Sequence, residues 1–249
     1  MNDRTAPRSG AGPAGGAVPS GGDPLPTGEA KVAAVRSMFD RIAPRYDLVN
    51  RVMTFRMDVA WRKRTVRELA LPPRSLVADL ACGTGDLCRD LVAAGLRAVG
   101  FDLSFGMLAH ARTSVPLAQA DILRLPVPDG SLDGITCGFA LRNLEALPPF
   151  FAECARVLRP GGRVALLEVS APRNRVLAMG HGVYFGKVVP FIGGRLSDRA
   201  AYQYLPRSVA YLPPTAELLE QLRTAGFDDV QRHQLSTGIA QLIVATRAR

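Results

Sequence analysis

A chain of 249 residues with 47% hydrophobic content suits one α/β domain plus an N-terminal extension, and can fill a complete core. Its net charge of +9 rests almost wholly on arginine, with Lys31, Lys63 and Lys187 as the lysines. No basic run interleaved with aromatics stands out, which argues against nucleic acid; an anionic bilayer or simple solubility suits the charge better.

Residues 1–30 are rich in Gly, Pro and Ser with almost no large apolar side chains, so a disordered tail is expected. From Lys31 a helical pattern sets in, with Val32, Val35, Met38 and Phe39 on one face and an interruption at Pro44. A second helical stretch runs from about Asp47 to Leu69 and ends at Pro72-Pro73. Together these make an N-terminal helical segment over 31–73. An α/β alternation follows over 74–249. Strands are expected at Leu76–Leu80, Ala98–Asp102, Leu117–Asp121, Leu132–Phe139 and Arg163–Val169. Helices are expected at Leu87–Ala94, Phe105–Ala111 and Glu145–Leu158, the last closed by Arg159-Pro-Gly-Gly162. Residues 170–212 interrupt this rhythm with an apolar, aromatic-rich insertion that includes Val183–Ile192. A helix at Thr215–Thr224 and strands near Asp229–Gln234 and Ile239–Ala245 complete the sheet. Strands alternating with helices predict a doubly wound, mostly parallel sheet that takes ligands at the carboxyl ends of its strands.

Four cysteines (Cys82, Cys88, Cys137, Cys154) form no C-x-x-C pair and have no histidine at ligand spacing. That predicts neither disulfides nor a metal, and a reducing cytoplasm as the compartment. No apolar run reaches bilayer-spanning length, and no signal-peptide pattern is visible.

The stretch Asp79-Leu-Ala-Cys-Gly-Thr-Gly-Asp86 joins a strand to a helix through a glycine turn. Glycines there let backbone approach a ligand, and the helix N-terminus offers free N–H groups. A dinucleotide-binding turn needs a small residue three positions after the second glycine, where this chain has Cys88. The alternative is a turn that holds an amino-acid ligand, with Asp102 at the next strand end taking ribose hydroxyls. Asp121, followed by Ile122, suits an adenine amino group and ring face, and Gly138 leaves room at the fourth strand end. Each such strand-end residue also has a bland reading as turn or cap chemistry, but four in register are hard to explain that way. This pattern resembles the S-adenosylmethionine site of class I methyltransferases.

Other segments narrow the resemblance. Met38-Phe-Asp-Arg-Ile-Ala-Pro-Arg-Tyr-Asp-Leu-Val-Asn50 with Trp61-Arg-Lys63, Phe139-Ala-Leu-Arg-Asn143, Leu167-Glu-Val-Ser170 and Ala201-Tyr-Gln-Tyr-Leu-Pro-Arg-Ser208 resemble signatures of one family. It is that of the quinone-biosynthesis C-methyltransferases, which act on demethylmenaquinol or polyprenyl-benzoquinol. The resemblance spans residues 33–245 in order. It implies a class I S-adenosylmethionine-dependent methyltransferase with a seven-stranded sheet, an N-terminal helical lid and a prenylated quinol as substrate. Thr84, Asp102 and the pair Asp121-Ile122 then match cofactor positions. The turn residues Asp79, Gly83 and Gly85, with Leu103 and Gly138, complete the cofactor set. Gly138 stands where the family usually has Ser, and Ala140 where it has Gly. Arg142 and Asn143 fall beside the transferred methyl, and Tyr46 and Asp47 on the lid toward the quinol hydroxyl. A guanidinium stays charged, so Arg142 suits a developing phenolate rather than proton abstraction.

His110 is expected on a helix surface, and for His181, inside the apolar 176–192 stretch, contact with substrate is the minor reading. Trp61 reads as packing. An apolar lid in basic surroundings suits peripheral contact with an anionic membrane, and the pattern leaves room for a homo-oligomer. Two other readings stay open: a methyltransferase acting on another small molecule, and a non-catalytic scaffold of a quinone-synthesis complex.

Overall fold

The computed structural model describes residues 26–170, Met179, Tyr184 and 188–249. Most of the tail expected over 1–30 lies outside those residues, as do His181 and much of the Val183–Ile192 stretch. Three helices come first: α1 (Gly28–Ile42), α2 (Tyr46–Met53) and α3 (Met57–Leu69). The single helix expected over Asp47–Leu69 is therefore two. Phe55 (φ 49°) and Arg56 (φ 62°) both adopt left-handed backbone, which stops the helical ladder. The Thr54 hydroxyl closes α2 within hydrogen-bond distance of the Asn50 carbonyl and the Asp58 carboxylate.

The sheet has seven strands in the order β3-β2-β1-β4-β5-β7-β6. They are β1 (Leu76–Leu80), β2 (Arg97–Asp102), β3 (Leu117–Gln119), β4 (Leu132–Gly138), β5 (Leu158–Val169), β6 (Phe227–Leu235) and β7 (Ala240–Arg247). Neighbours from β3 through β5 pair in parallel, while β7 runs antiparallel to both β5 and β6. Between strands lie α4 (Asp86–Ala93), α5 (Phe105–Ala109) and α6 (Leu147–Val157). Then come α7 (Val189–Leu196), α8 (Arg199–Ser208) and α9 (Thr215–Thr224). The expected boundary between α6 and β5 moves. The Arg159-Pro-Gly-Gly162 stretch bulges out of a ladder that pairs Leu132 with Leu158 and then Gly134 with Arg163. β3 also stops at Gln119, two residues before the expected Asp121.

Alternation along the strands builds the two sides of the core. Val164, Leu166, Ile243 and Ala245 pack with Phe150 and Phe151 of α6 and Leu222 of α9. Ala165, Leu167, Leu242 and Val244 pack with Trp61 and Leu69 of α3 and Leu91 of α4. Burying each such Val, Leu or Ile side chain stabilises by about 1.5–3 kcal/mol. Trp61 is packing, as expected, and its indole N–H also donates to the Ser236 hydroxyl at 2.8 Å.

A third cluster joins the N-terminal helices to the late insertion: Met38, Ile42, Val49 and Met53 meet Val189, Tyr202 and Tyr204. Polar contacts fasten this layer over the strand ends. Asp40 of α1 accepts from the Ser104 hydroxyl at 2.6 Å and from the Gly106 N–H at 2.8 Å. A β-carbon on Gly106 would sit 2.8 Å from the Asp40 Cα, so only glycine admits this approach. Buried Lys31 donates to the Leu144 carbonyl and lies 3.6 Å from the Tyr211 ring centroid. Burial lowers its ammonium pKa to about 8.

Candidate active site

β1 delivers Asp79 to the sheet's carboxyl edge, and the chain turns through Ala81–Gly85 into α4. Gly83 (φ 55°) and Gly85 (φ 83°) are both left-handed, and a β-carbon on Gly85 would strike the Thr113 methyl at 2.6 Å. Around Gly83 the equivalent space is open, with nothing within 4 Å. Its N–H instead donates to one Asp102 oxygen at 2.8 Å, and the Ser104 N–H donates to the other at 2.8 Å. Asp102 is thus held at the end of β2 with an acceptor site left over on each oxygen. Burial raises its pKa against those two donors.

Asp79 lies beneath the turn and is fully buried. It accepts from the Thr136 hydroxyl at 2.8 Å and from the Cys88 thiol at 3.5 Å. Burial pushes its pKa from 3.8 up to about 7. The folded chain therefore holds this proton more tightly than the unfolded chain. Asp79 contributes stability that is full below about pH 4 and is lost as pH rises through about 7. Asp79→Asn, compared with the parent chain by denaturant titration from about pH 4.5 to 8, should gain relative stability as pH rises through that window. Parallel curves would show Asp79 ionised throughout.

From above, α2 brings Tyr46 and Asp47 onto this edge. The Thr84 hydroxyl donates to Asp47 at 2.5 Å. The half-buried Tyr46 phenol is pushed up in pKa, mostly by desolvation; Asn50 hydrogen-bonds to it, and the charges of Arg142, Asp102 and Asp47 act on it. Five sequence-selected residues (Tyr46, Asp47, Thr84, Asp102 and Arg142) from four distant segments therefore come to one edge of the sheet. A cavity of about 240 Å³ opens at Asp47 and Thr84, lined also by Ala43, Leu48, Arg51 and His110, among others. His110 is exposed, as expected, but its place at this mouth is not visible from helical periodicity.

At the end of β4, Phe139 (φ 59°) turns the chain into a 3₁₀ segment, Leu141–Asn143. Arg142 and Asn143 are both buried here. The Arg142 guanidinium pairs with Glu168, which is fully buried on β5, and its Nε donates to the Ser208 hydroxyl at 3.1 Å. The Arg142 N–H also donates to Glu168, at 3.2 Å, and the Val169 N–H donates to it at 2.8 Å. Asn143 Oδ1 and the Tyr204 hydroxyl are buried without a hydrogen-bond partner among the described residues. Unpaired buried polar atoms cost about 1–3 kcal/mol each, so both suit a ligand with complementary hydrogen-bonding groups.

Two expected cofactor residues sit differently from the sequence reading. Asp121 lies past the end of β3, exposed, where its carboxylate accepts from the Leu123 N–H at 2.9 Å as a turn former. Ile122 is buried in the main core cluster rather than open at the sheet edge. Leu103 is half-buried beside Asp102, its carbonyl accepting from the Gln119 amide at 2.9 Å. A β-carbon on Gly138 would meet Leu87 at 3.1 Å, which gives the glycine a packing reason. Sequence reasoning gave no role to Asp40, Glu168 or Ser208. Each lies within a quoted signature segment, and their types, acidic or hydroxyl on otherwise apolar faces, were the available signal.

The model of the ubiE/COQ5 methyltransferase family matches residues 27–247 of this chain. The chain belongs to that family. A UbiE/COQ5 relative from Syntrophotalea carbinolica, a ubiquinone/menaquinone biosynthesis C-methyltransferase, is 42% identical over 86% of this chain and 94% of its own length. A demethylmenaquinone methyltransferase from Thermus thermophilus is 42% identical over 84% of this chain and all of its own. Among solved structures, a methyltransferase in complex with the Haloferax volcanii Trm112 activator superposes with a TM-score of 0.63. It has 19% identity and covers 85% of this chain and 98% of that one. The Haemonchus contortus phosphoethanolamine N-methyltransferase 2 with S-adenosyl-L-methionine gives 0.57 at 14% identity, over 76% of this chain and 52% of that one. The UbiE/COQ5 chain described here thus has the class I S-adenosylmethionine-dependent methyltransferase fold.

Proposed function

We propose that this chain methylates a ring carbon of a prenylated quinol at the expense of S-adenosylmethionine, with demethylmenaquinol preferred to a benzoquinol. The carrying observation is the strand-edge geometry in which the Gly83 and Ser104 N–H groups hold Asp102 at 2.8 Å each, beside a glycine turn whose Thr84 hydroxyl bonds to Asp47 of α2 at 2.5 Å. Family membership and the names of the relatives support the quinol class. S-adenosylmethionine supplies a methyl group on a sulfonium, which an electron-rich ring carbon takes as the carbon–sulfur bond breaks and the ring proton leaves.

The residues present fit this cofactor. Asp102 has acceptor sites free for two ribose hydroxyls, the open space at Gly83 admits the amino-acid portion along the turn, and Asp79, Thr84 and Gly85 shape that turn. Leu103, half-buried beside Asp102, borders the adenine side. On the substrate side, the Tyr46 phenol stays protonated near neutral pH and donates to a quinol oxygen. Arg142, oriented by Glu168 and Ser208, stabilises a phenolate electrostatically. Asn143 Oδ1 accepts from the second quinol hydroxyl or from a water that carries the ring proton away.

Purified protein should bind S-adenosylmethionine and transfer its labelled methyl to demethylmenaquinol faster than to a benzoquinol precursor. Binding without turnover of either quinol would overturn the substrate assignment, and no binding would point to a scaffold.

A further inference from the structure

α2 is apolar on two faces. Val49 and Met53 are buried in the cluster that holds Val189 of α7 and Tyr202 of α8. On the other face Leu48 is 57% exposed, Val52 lies one turn further along, and Phe55, just past the helix end, continues the stripe at 70%. An ordinary surface helix places polar residues there. The stripe extends onto the insertion, where Val188 and Phe191 are also exposed, the latter at 59%. Tyr184 joins the two parts: its ring lies 5.6 Å from that of Phe55, and its hydroxyl donates to the Met53 carbonyl at 2.8 Å.

Basic groups border this surface. Arg56 is exposed beside Phe55, Arg51 is partly exposed on α2, and the Arg195 guanidinium lies 4.5 Å from the Phe191 ring centroid. Nearby carboxylates are already engaged: Asp47 with Thr84, Asp58 with Arg62, and Asp86, 3.9 Å from Arg51, with Arg62 and Arg89 as well. We propose that this face docks the protein on an anionic lipid bilayer, the apolar stripe entering the interface and the arginines meeting the headgroups. Self-association through the same face would set its basic border (Arg51, Arg56 and Arg195) against the identical basic border of a second copy, a like-charge arrangement. Leu48 belongs to both the stripe and the cavity that reaches Thr84, so the docked face borders the mouth of the site. This deepens the quinol reading by giving a bilayer-borne substrate its route.

The test is co-sedimentation of the full chain with phosphatidylglycerol–phosphatidylcholine vesicles and with phosphatidylcholine alone, in the absence of quinol. Its outcome is therefore independent of whether methyl transfer is correctly assigned. The parent chain should bind the anionic vesicles more tightly, and less so as salt rises. Val52→Ser with Phe55→Asn should lower partitioning roughly tenfold or more while leaving the melting temperature and S-adenosylmethionine affinity unchanged. A second variant, Arg56→Glu with Arg195→Glu, should lower it roughly fivefold per arginine removed. Equal binding to both vesicle types, or undiminished binding of both variants, would overturn the proposal. So would a concentration-dependent dimer in the parent chain that the Val52→Ser/Phe55→Asn variant abolishes, since a second copy would then occupy the face.

Discussion

Glu168→Ala should cost on the order of 3–5 kcal/mol of stability, because it strands the buried Arg142 guanidinium without its counter-charge. It also strips the acceptor from the Arg142 and Val169 N–H groups. Arg142→Ala should cost a similar amount by leaving Glu168 alone in the core. Replacing both together, Arg142→Met with Glu168→Leu, should recover much of the loss, since apolar pairs of similar volume often match a buried ion pair. Turnover should not recover with it, because the phenolate-stabilising charge is gone. Denaturant titration gives the first quantity and labelled-methyl transfer the second. Single-variant losses below about 1 kcal/mol would mean the pair is solvated rather than buried. Recovered turnover in the double variant would remove Arg142 from the chemistry.

The second large effect concerns Asp102. Asp102→Ala should weaken S-adenosylmethionine binding by about 1–3 kcal/mol, roughly 5- to 150-fold, by leaving ribose hydroxyls unpaired in a closed site. The Gly83 and Ser104 N–H groups lose their acceptor as well, so melting temperature must be followed alongside affinity. Asp102→Asn keeps one acceptor oxygen and should fall between parent and alanine variant. Calorimetry showing unchanged affinity in a folded alanine variant would reject the ribose assignment.

Much of this was legible in the sequence because the fold announces itself through short-range chemistry. A glycine turn after an apolar strand, and an acidic residue closing the next, are local patterns, and Asp79, Gly83 and Asp102 stand where those patterns put them. The break after Met53 was not legible. Left-handed backbone at Phe55 and Arg56 lets α2 pack against the insertion while α3 lies on the sheet, and neither residue type signals it. Asp121 read as a strand end because an apolar stretch ran up to it, but among the described residues β3 has a partner on one side only and stops two residues sooner. Glu168 was hardest to read. An acidic side chain inside Leu166–Val169 gains its meaning from Arg142 and Ser208, which lie 26 residues before it and on a separate helix. Pairing at that separation is a property of the folded topology, so a role for Arg142 could be inferred from resemblance while its partners could not.

The position of β7 has a consequence for how the protein is made. It lies between β5 and β6, pairing with both, and Ala240–Ala245 are all buried. Until this segment has left the ribosome, β5 keeps an open edge and β6 has no neighbour on which to settle. From the emergence of β5 to that of β7, the nascent polypeptide therefore carries an unpaired hydrophobic strand edge, a species apt to aggregate. Closure of the sheet then waits on β7, which joins β6 to the five strands from β3 to β5 in one step.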